Sequence, residues 1–288
     1  MQMRRKCRSF VLLIAIYAVP SMLSRDAWSL RSSSPPESLA RQVDHIELES
    51  EQAEQIFQVF AEKLGLPVAW PFKSYGRFSS GGVVLGNVAL ELVHEQGDKP
   101  GLKGFAFRPG PVPELVAGLD AKKLKHDAPK PFYQKDSSGN DSLAWTTIDL
   151  TGLQPKGIFF CKYTKELSPA YLAEINQKFL KQGGGLLGVR SALELVLEVR
   201  DLAAAQRDWR LLLGSPDAGH DSVWHVGTGP AIRLVAGTED RIAILRLKVM
   251  SLERARTFLK GANLLGLDSG REISLEPSAV GADIRLVE

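Results

Sequence analysis

The chain has 288 residues, 44% apolar, 24% charged and 8% aromatic, which excludes general disorder, a collagen-like fibre and a disulfide-stapled miniprotein. Its formal charge of +3 resides at the amino terminus, where Arg4, Arg5, Lys6, Arg8 and Arg25 face only Asp26. The remaining 31 basic and 32 acidic residues balance, so no polyanion-binding surface and no nucleic-acid partner are expected. Of the two cysteines, Cys7 lies in this amino-terminal segment, leaving Cys161 without an intramolecular disulfide partner.

The basic cluster precedes an apolar run, Phe10–Val19, of the length of a signal-peptide h-region and too short for a membrane span. Residues 1–27 are therefore expected to be a signal peptide, with no membrane association after cleavage. Residues 28–41 are rich in serine, proline and arginine, with no acid before Glu37. A signal peptide followed by such a stretch resembles the bipartite plastid presequence of algae with secondary plastids, although Trp28 stands where phenylalanine is usual. Secretion is the alternative destination.

Beyond residue 40 one pattern recurs four times: an apolar strand, a helix, then a strand-rich stretch closing in an apolar strand. The first unit opens at Gln42–Leu48, has a helix after Ser50 with Ala53, Ile56, Phe57, Phe60 and Leu64 at helical spacing, and closes at Val88–Val93. The second opens at Gly104–Arg108, has a helix over about Pro113–Leu124, and closes at Gly157–Tyr163. Ser168-Pro169 then opens a helix that ends at Gly183-Gly184-Gly185, a boundary between halves. The third unit opens at Leu193–Val199, caps at Asp201, stops at Gly214 and closes at Ala231–Val235. The fourth opens at Ile242–Val249, caps at Ser251, stops at Gly266 and closes at Asp283–Val287. The closing phrases AIRLV and DIRLV occupy equivalent places.

The expected fold is α+β, with four βαβββ modules paired into two cup-shaped mixed-sheet halves. The halves span 42–165 and 191–288, joined by a helix and glycine-rich hinge over 166–190. Four such modules resemble the vicinal oxygen chelate superfamily of glyoxalases, bleomycin-resistance proteins and extradiol dioxygenases. The resemblance rests on Val43-Asp44-His45-Ile46 with Leu90-Glu91-Leu92, and on the run Leu195–Ala205. The first half is similar to the glyoxalase-like domain group, through Pro155-Lys156-Gly157-Ile158-Phe159-Phe160.

The resemblance implies divalent-metal ligands on the first and last strand of each module. It places His45 and Glu91 there in the first module, for Fe, Mn, Zn or Ni, with Glu91 also serving as general base. Alternation sets Glu91 on the face of Val93 and Glu95, and His94 on the other. In the second module Gly104 takes the histidine's place, and Phe160 or Cys161 the glutamate's. In the second half the four places fall to Glu194, Arg233, Ile244 and Arg285. Arginine does not ligate metals here, so that cup is expected to be metal-free, with Glu194, Arg233 and Arg285 as an ion cluster in the metal's stead.

Other motifs carry less. His220 and His225 are an odd number of residues apart, on opposite faces of a strand. Ser74–Gly82 is glycine-rich but lacks the lysine and the strand–loop–helix context of a phosphate-binding loop; it is expected to arch over the cup's mouth. Lys122, Lys123 and Lys125 end a helix as a solvated face.

Three functions remain open. The first is a divalent-metal-dependent lyase, isomerase or dioxygenase acting on a small vicinal-oxygen substrate, with Tyr75, Arg77 and Trp145 shaping the pocket. The second is a metal-free small-molecule binding module of the bleomycin-resistance type, lined by aromatics such as Phe105, Phe107, Trp145 and Phe160. The third is a structural role with both cups degenerate. The sequence does not set the oligomeric state.

Overall fold

The computed structural model describes residues 38–94, 99–135, 138–165 and 169–288. The expected leader, and the linker up to residue 37, lie outside them. No described helix is long and apolar enough to cross a membrane.

The first unit runs β1 (Ala40–Glu49), α1 (Ala53–Gln58, whose last turn widens to a π-helix over Val59–Lys63), β2 (Val68–Ser74), β3 (Ser79–Val84) and β4 (Ala89–His94). The second runs β5 (Gly101–Pro109), α2 (Val112–Ala121), β6 (Lys130–Lys135), β7 (Asp141–Asp149) and β8 (Ile158–Tyr163). Among the described residues they form one eight-stranded mixed sheet, in the order β2-β3-β4-β1-β5-β8-β7-β6. β1 and β5 pair antiparallel at its centre, each flanked by a parallel closing strand. The helix α3 (Pro169–Lys181) leads into the second half.

That half runs β9 (Val189–Val199), α4 (Leu202–Leu213), β10 (Val223–Trp224), β11 (Ala231–Ala236), β12 (Arg241–Val249), α5 (Leu252–Gly261), β13 (Leu265–Asp268), β14 (Ile273–Leu275), α6 (Pro277–Val280) and β15 (Ile284–Val287). Its seven strands are ordered β10-β11-β9-β12-β15-β14-β13. Asp201 caps α4 by accepting from the Ala204 amide at 2.9 Å, and Ser251 caps α5 from the Arg254 amide at 3.2 Å.

Two expectations are corrected. The third unit has two described strands after its helix instead of three, because 214–221 is a Gly/Ser/Pro/Asp run that turns rather than pairs. The helix α5 stops at Gly261, not Gly266: Asn263 takes a left-handed φ of 54°, tolerated by asparagine, and Gly266 already lies in β13.

A continuous apolar core spans both halves. Phe105 and Phe107 of β5 and Phe160 of β8 turn their rings into it, so the expectation that they line a ligand site is corrected. Strand aromatics at period two pack here against α4 of the other half. Trp209 sits 6.3 Å from Phe105, 6.4 Å from Phe107 and 6.2 Å from Trp224, ring to ring. Its indole N–H donates to the Gln154 carbonyl at 3.0 Å.

Candidate metal centre

The centre of the first sheet departs from simple alternation. Val43 and Ile46 are three residues apart yet both lie in the core, which a regular strand forbids. Opposite them the ladder steps from Phe107 to Ala106 while β1 steps from Val43 to His45. Asp44 is thus the extra residue of a β-bulge, a device that re-aims side chains. It lets Asp44 and His45 both line the concave face, and Glu47 follows two residues on.

Glu47 is the direct neighbour of Glu91 in the parallel β1–β4 ladder. His45 Nε2 lies 3.3 Å from Glu91 Oε2 and 4.0 Å from Glu47 Oε1, and one ligand atom from each of the three residues falls within 4.8 Å of the others. On its other side His45 Nδ1 meets Asp44 Oδ2 at 3.0 Å. Asp44 is held in turn by Arg108, whose Nε donates at 2.9 Å, and by the Tyr163 hydroxyl at 3.2 Å.

Burial alone would lower the His45 pKa, but the Asp44 hydrogen bond and the charges of Glu91, Asp44 and Glu47 lift it to about 9. Burial also opposes the charge on Asp44, yet His45 and Arg108 hold its carboxyl below the usual range. Burial and the neighbouring Glu91 push the Glu47 carboxyl up. Burial and the Asp44 charge push the Tyr163 hydroxyl well up, so it stays a donor.

The donor set fits a divalent metal. One imidazole and two carboxylates are donor types that such an ion takes, and all three residues line the cavity. Ligand atoms at roughly 2.1 Å from one ion are separated by about 3 Å when adjacent and about 4.2 Å when opposed, which brackets both separations from His45 Nε2. Asp44 on the far ring nitrogen supplies the outer hydrogen bond that metal-ligating histidines make. Glu47 and Asp44 were missed from the sequence. Period two places Glu47 on the face of His45 and was the available signal; the bulge that presents Asp44 had none.

Gly104 makes room for this arrangement. A Cβ there would lie 2.5 Å from the Gly157 carbonyl oxygen and 2.6 Å from Glu47 Oε2. A histidine of the second module cannot be accommodated, and the Glu47 carboxylate occupies the space. Gly104→Ala is expected to destabilise by about 1–3 kcal/mol and to displace Glu47, read as a lowered urea midpoint with unchanged m-value.

Above the centre is a cavity of about 1050 Å³. Tyr75, Arg77 and Trp145 all line it. Phe132 and Trp145 stack at 4.2 Å, and Tyr75 stacks on Phe78 at 5.1 Å. The two pairs meet edge-on across the gap between the β2–β3 and β6–β7 hairpins, with Tyr75 5.9 Å from Trp145. The glycine-rich stretch is the tip of the β2–β3 hairpin, with its turn confined to 75–78, where Tyr75, Arg77 and Phe78 line the cavity, and Gly82 lets the Trp70 ring lie against β3.

No family model and no curated relative matches the sequence. Solved structures do resemble it. A hypothetical protein from Staphylococcus aureus superposes with a TM-score of 0.58 at 10% identity, covering 85% of this chain and 98% of that one. Homoprotocatechuate 2,3-dioxygenase from Arthrobacter globiformis gives 0.53 at 16%, covering 89% and 81%. The Brevibacterium fuscum enzyme in complex with 3,4-dihydroxyphenylacetate gives 0.54 at 13%, covering 89% and 82%. What is shared is the fold. The paired cups resemble those of these dioxygenases in fold, and a fold does not by itself carry an activity across.

Strand register places the remaining residues. Phe159, the ladder neighbour of Ala106, stands where Glu91 stands in the first module; this corrects the expectation of Phe160 or Cys161. Cys161 lines the cavity, with its thiol pushed up by burial and by the charge of Asp44. In the second cup Arg233 Nε pairs with Glu194 Oε1 at 2.5 Å. Arg285 instead pairs with Glu272 at 2.9 Å and Asp283 at 2.7 Å. Arg246, at the place that Glu47 holds in the first module, joins the two by bonding Glu194 at 2.6 Å and Glu272 at 2.8 Å. His225 pairs with Asp217 at an exposed site. Lys122 is not part of a solvated face: its Nζ is buried with no hydrogen-bond partner among the described residues, and burial lowers its pKa.

Proposed function

We propose that the first cup holds a divalent metal on His45, Glu47 and Glu91 and acts on a small molecule with two adjacent oxygens. The observation that carries this is the convergence of one imidazole and two carboxylates at the base of a large cavity. A metal there supplies Lewis acidity toward the two substrate oxygens. Asp44 holds the proton on His45 Nδ1 and so turns the Nε2 lone pair to the centre, while Arg108 and Tyr163 keep Asp44 in place. Glu91 accepts a proton from a substrate hydroxyl at its carboxylate oxygen. The aromatic pairs orient a ring by its faces and exclude water from one side. A lyase, isomerase or ring-cleaving dioxygenase each suits this arrangement; extradiol ring cleavage is the chemistry of the Brevibacterium fuscum enzyme.

The test is metal content by inductively coupled plasma mass spectrometry after reconstitution with Fe, Mn, Zn and Ni. Near-stoichiometric metal supports the proposal, and absence of all four sinks it. Asp44→Ala is expected to weaken metal binding by about 10–100-fold, with Asp44→Asn recovering part of the loss through its remaining acceptor oxygen.

Metal binding must also release protons. With His45 raised to about 9 and Glu47 raised too, both carry protons near neutrality in the metal-free protein, and the ion competes with them. Affinity is therefore expected to rise with pH between about 6 and 9. Calorimetry in buffers of different ionisation enthalpy should show more than one proton released at pH 7, and none released would contradict the site.

A second reading, a metal-free binding module, is favoured by the His45–Glu91 ion pair, which neutralises the centre without an ion. It predicts ligand binding unaffected by a chelator.

A further inference from the structure

The bulge that presents Asp44 to His45 sits on the least supported part of β1. The parallel ladder with β4 begins at His45, so among the described residues Arg41–Asp44 have a strand neighbour on the β5 side alone. On that side the pairing is irregular twice, between Val43 and His45 and between Ala40 and Gln42. Only two pairs, Gln42 with Arg108 and Val43 with Phe107, lie between these irregularities. A slip of one residue would swap the faces of both. They nevertheless hold their faces, Val43 in the core and Gln42 in the cavity lining.

The second half supplies the missing support. Its loop Gly227–Gly229, between β10 and β11, lies directly on this segment. A Cβ at Gly227, where φ is 60°, would fall 2.5 Å from the Arg41 carbonyl oxygen, and one at Gly229 would fall 2.8 Å from Val43 Cβ. Neither position has room for a side chain. The loop is held from the first half in turn. Asn87, in the turn before β4, donates to the Thr228 carbonyl at 2.9 Å and to the Ala192 carbonyl of β9 at 3.0 Å. It also accepts from the Ala192 amide at 2.8 Å, so all three bonds cross between the halves.

We propose that the second half positions the metal centre of the first: the Gly227–Gly229 loop, clamped by Asn87, braces the bulge and so keeps Asp44 on His45 Nδ1. Arg108 and Tyr163 hold the Asp44 carboxylate, and the loop holds the backbone that carries it. Gly229 and Asn87 are then positioning residues, acting through Asp44 and His45. The inference rests on the proposed metal centre and adds that its geometry belongs to both halves.

The hydrogen-bonded proton on His45 Nδ1 gives a readout that needs no metal. In the metal-free full chain, isotope-labelled at histidine, it is expected as a downfield, slowly exchanging NMR signal, assigned by its absence from His45→Gln. Gly229→Ala drives a methyl group into Val43. It is expected to shift that signal upfield or lose it to exchange, and to weaken metal binding about tenfold, the lower end for an outer partner. Asn87→Ala releases the clamp without adding volume and is expected to do the same, which covers a Gly229→Ala chain that does not fold. Leu259→Ala is the control for stability alone. Leu259 is buried on α5, the helix packed on β13 and β14, and its truncation is expected to cost at least as much stability with the His45 signal and the metal affinity unchanged.

An unchanged His45 signal in folded Gly229→Ala or Asn87→Ala overturns the brace. An equal change in Leu259→Ala overturns it too, by reducing the effect to stability. A wild-type chain without the signal lacks the His45–Asp44 bond and overturns the inference with it. A wild-type chain that shows the signal yet binds no metal refutes the proposed function, and the signal in the variants still decides this inference.

Discussion

His45→Ala is expected to abolish stoichiometric metal, weakening binding by more than 100-fold, and with it any activity that depends on the ion. The imidazole is the single nitrogen donor of the set, and the cationic partner that the ion pairs assign to Glu47 and Glu91. Its removal leaves two half-buried carboxylates side by side, and two protein donors hold an ion far more weakly than three. The companion variant is Glu47→Gln, which keeps size and removes charge. A loss of about 10–100-fold there would establish three ligands from one module, taking outer-ligand substitutions as the lower benchmark. Unchanged affinity in Glu47→Gln would instead return the site to the His45 and Glu91 pair. Metal analysis of the two variants beside the wild type, with circular dichroism to show that each is folded, decides between them.

Trp209→Ala is expected to cost roughly 3–5 kcal/mol, the range for deleting a large aromatic from a packed core. The side chain is fully buried between Phe105, Phe107 and Trp224, and its N–H serves the Gln154 carbonyl, which would be left without that donor. For a domain of this size the loss corresponds to a fall in melting temperature on the order of 10 °C. Trp209→Phe should recover most of the packing and not the hydrogen bond, for a smaller fall. Because Trp209 belongs to the second half and both phenylalanines to the first, a single cooperative transition shifted as a whole shows one shared core. Two transitions, with only the later half displaced, would show that the halves unfold separately.

The elements were readable where local chemistry speaks alone. Asp201 and Ser251 announce helix starts because a short oxygen-bearing side chain satisfies an amide that the helix leaves bare. His45 and Glu91 were readable as a pair because their strands carry a short familiar phrase. Glu47 was within reach, two residues beyond His45 on a strand of period two. Arg246 stands at the matching place in the fourth module and was passed over for the same reason.

Other placements depend on which strand lies beside which. Phe159 and Phe160 are adjacent in sequence, and only the pairing of β8 with β5 tells which ring enters the core and which faces the cup. The bulge at Asp44 inverts the faces of Gln42 and Val43 on β1, up to a second irregularity before Gln42, and nothing in Val43-Asp44-His45 signals the inversion. The aromatic pairs at the mouth come from hairpins at opposite ends of one sheet, brought together by its curl. By itself the sequence determined the α+β class and most of the strand and helix order, set by periodicity and capping within a few residues, and the neutral body, set by composition, while the His45–Glu91 pair came from a resemblance carried by short strand phrases. The tertiary structure decided which carboxylates meet His45 and the hold of Arg108 and Tyr163 on Asp44. Those rest on contacts between residues far apart in the chain, which register and sheet curvature create and local sequence does not encode.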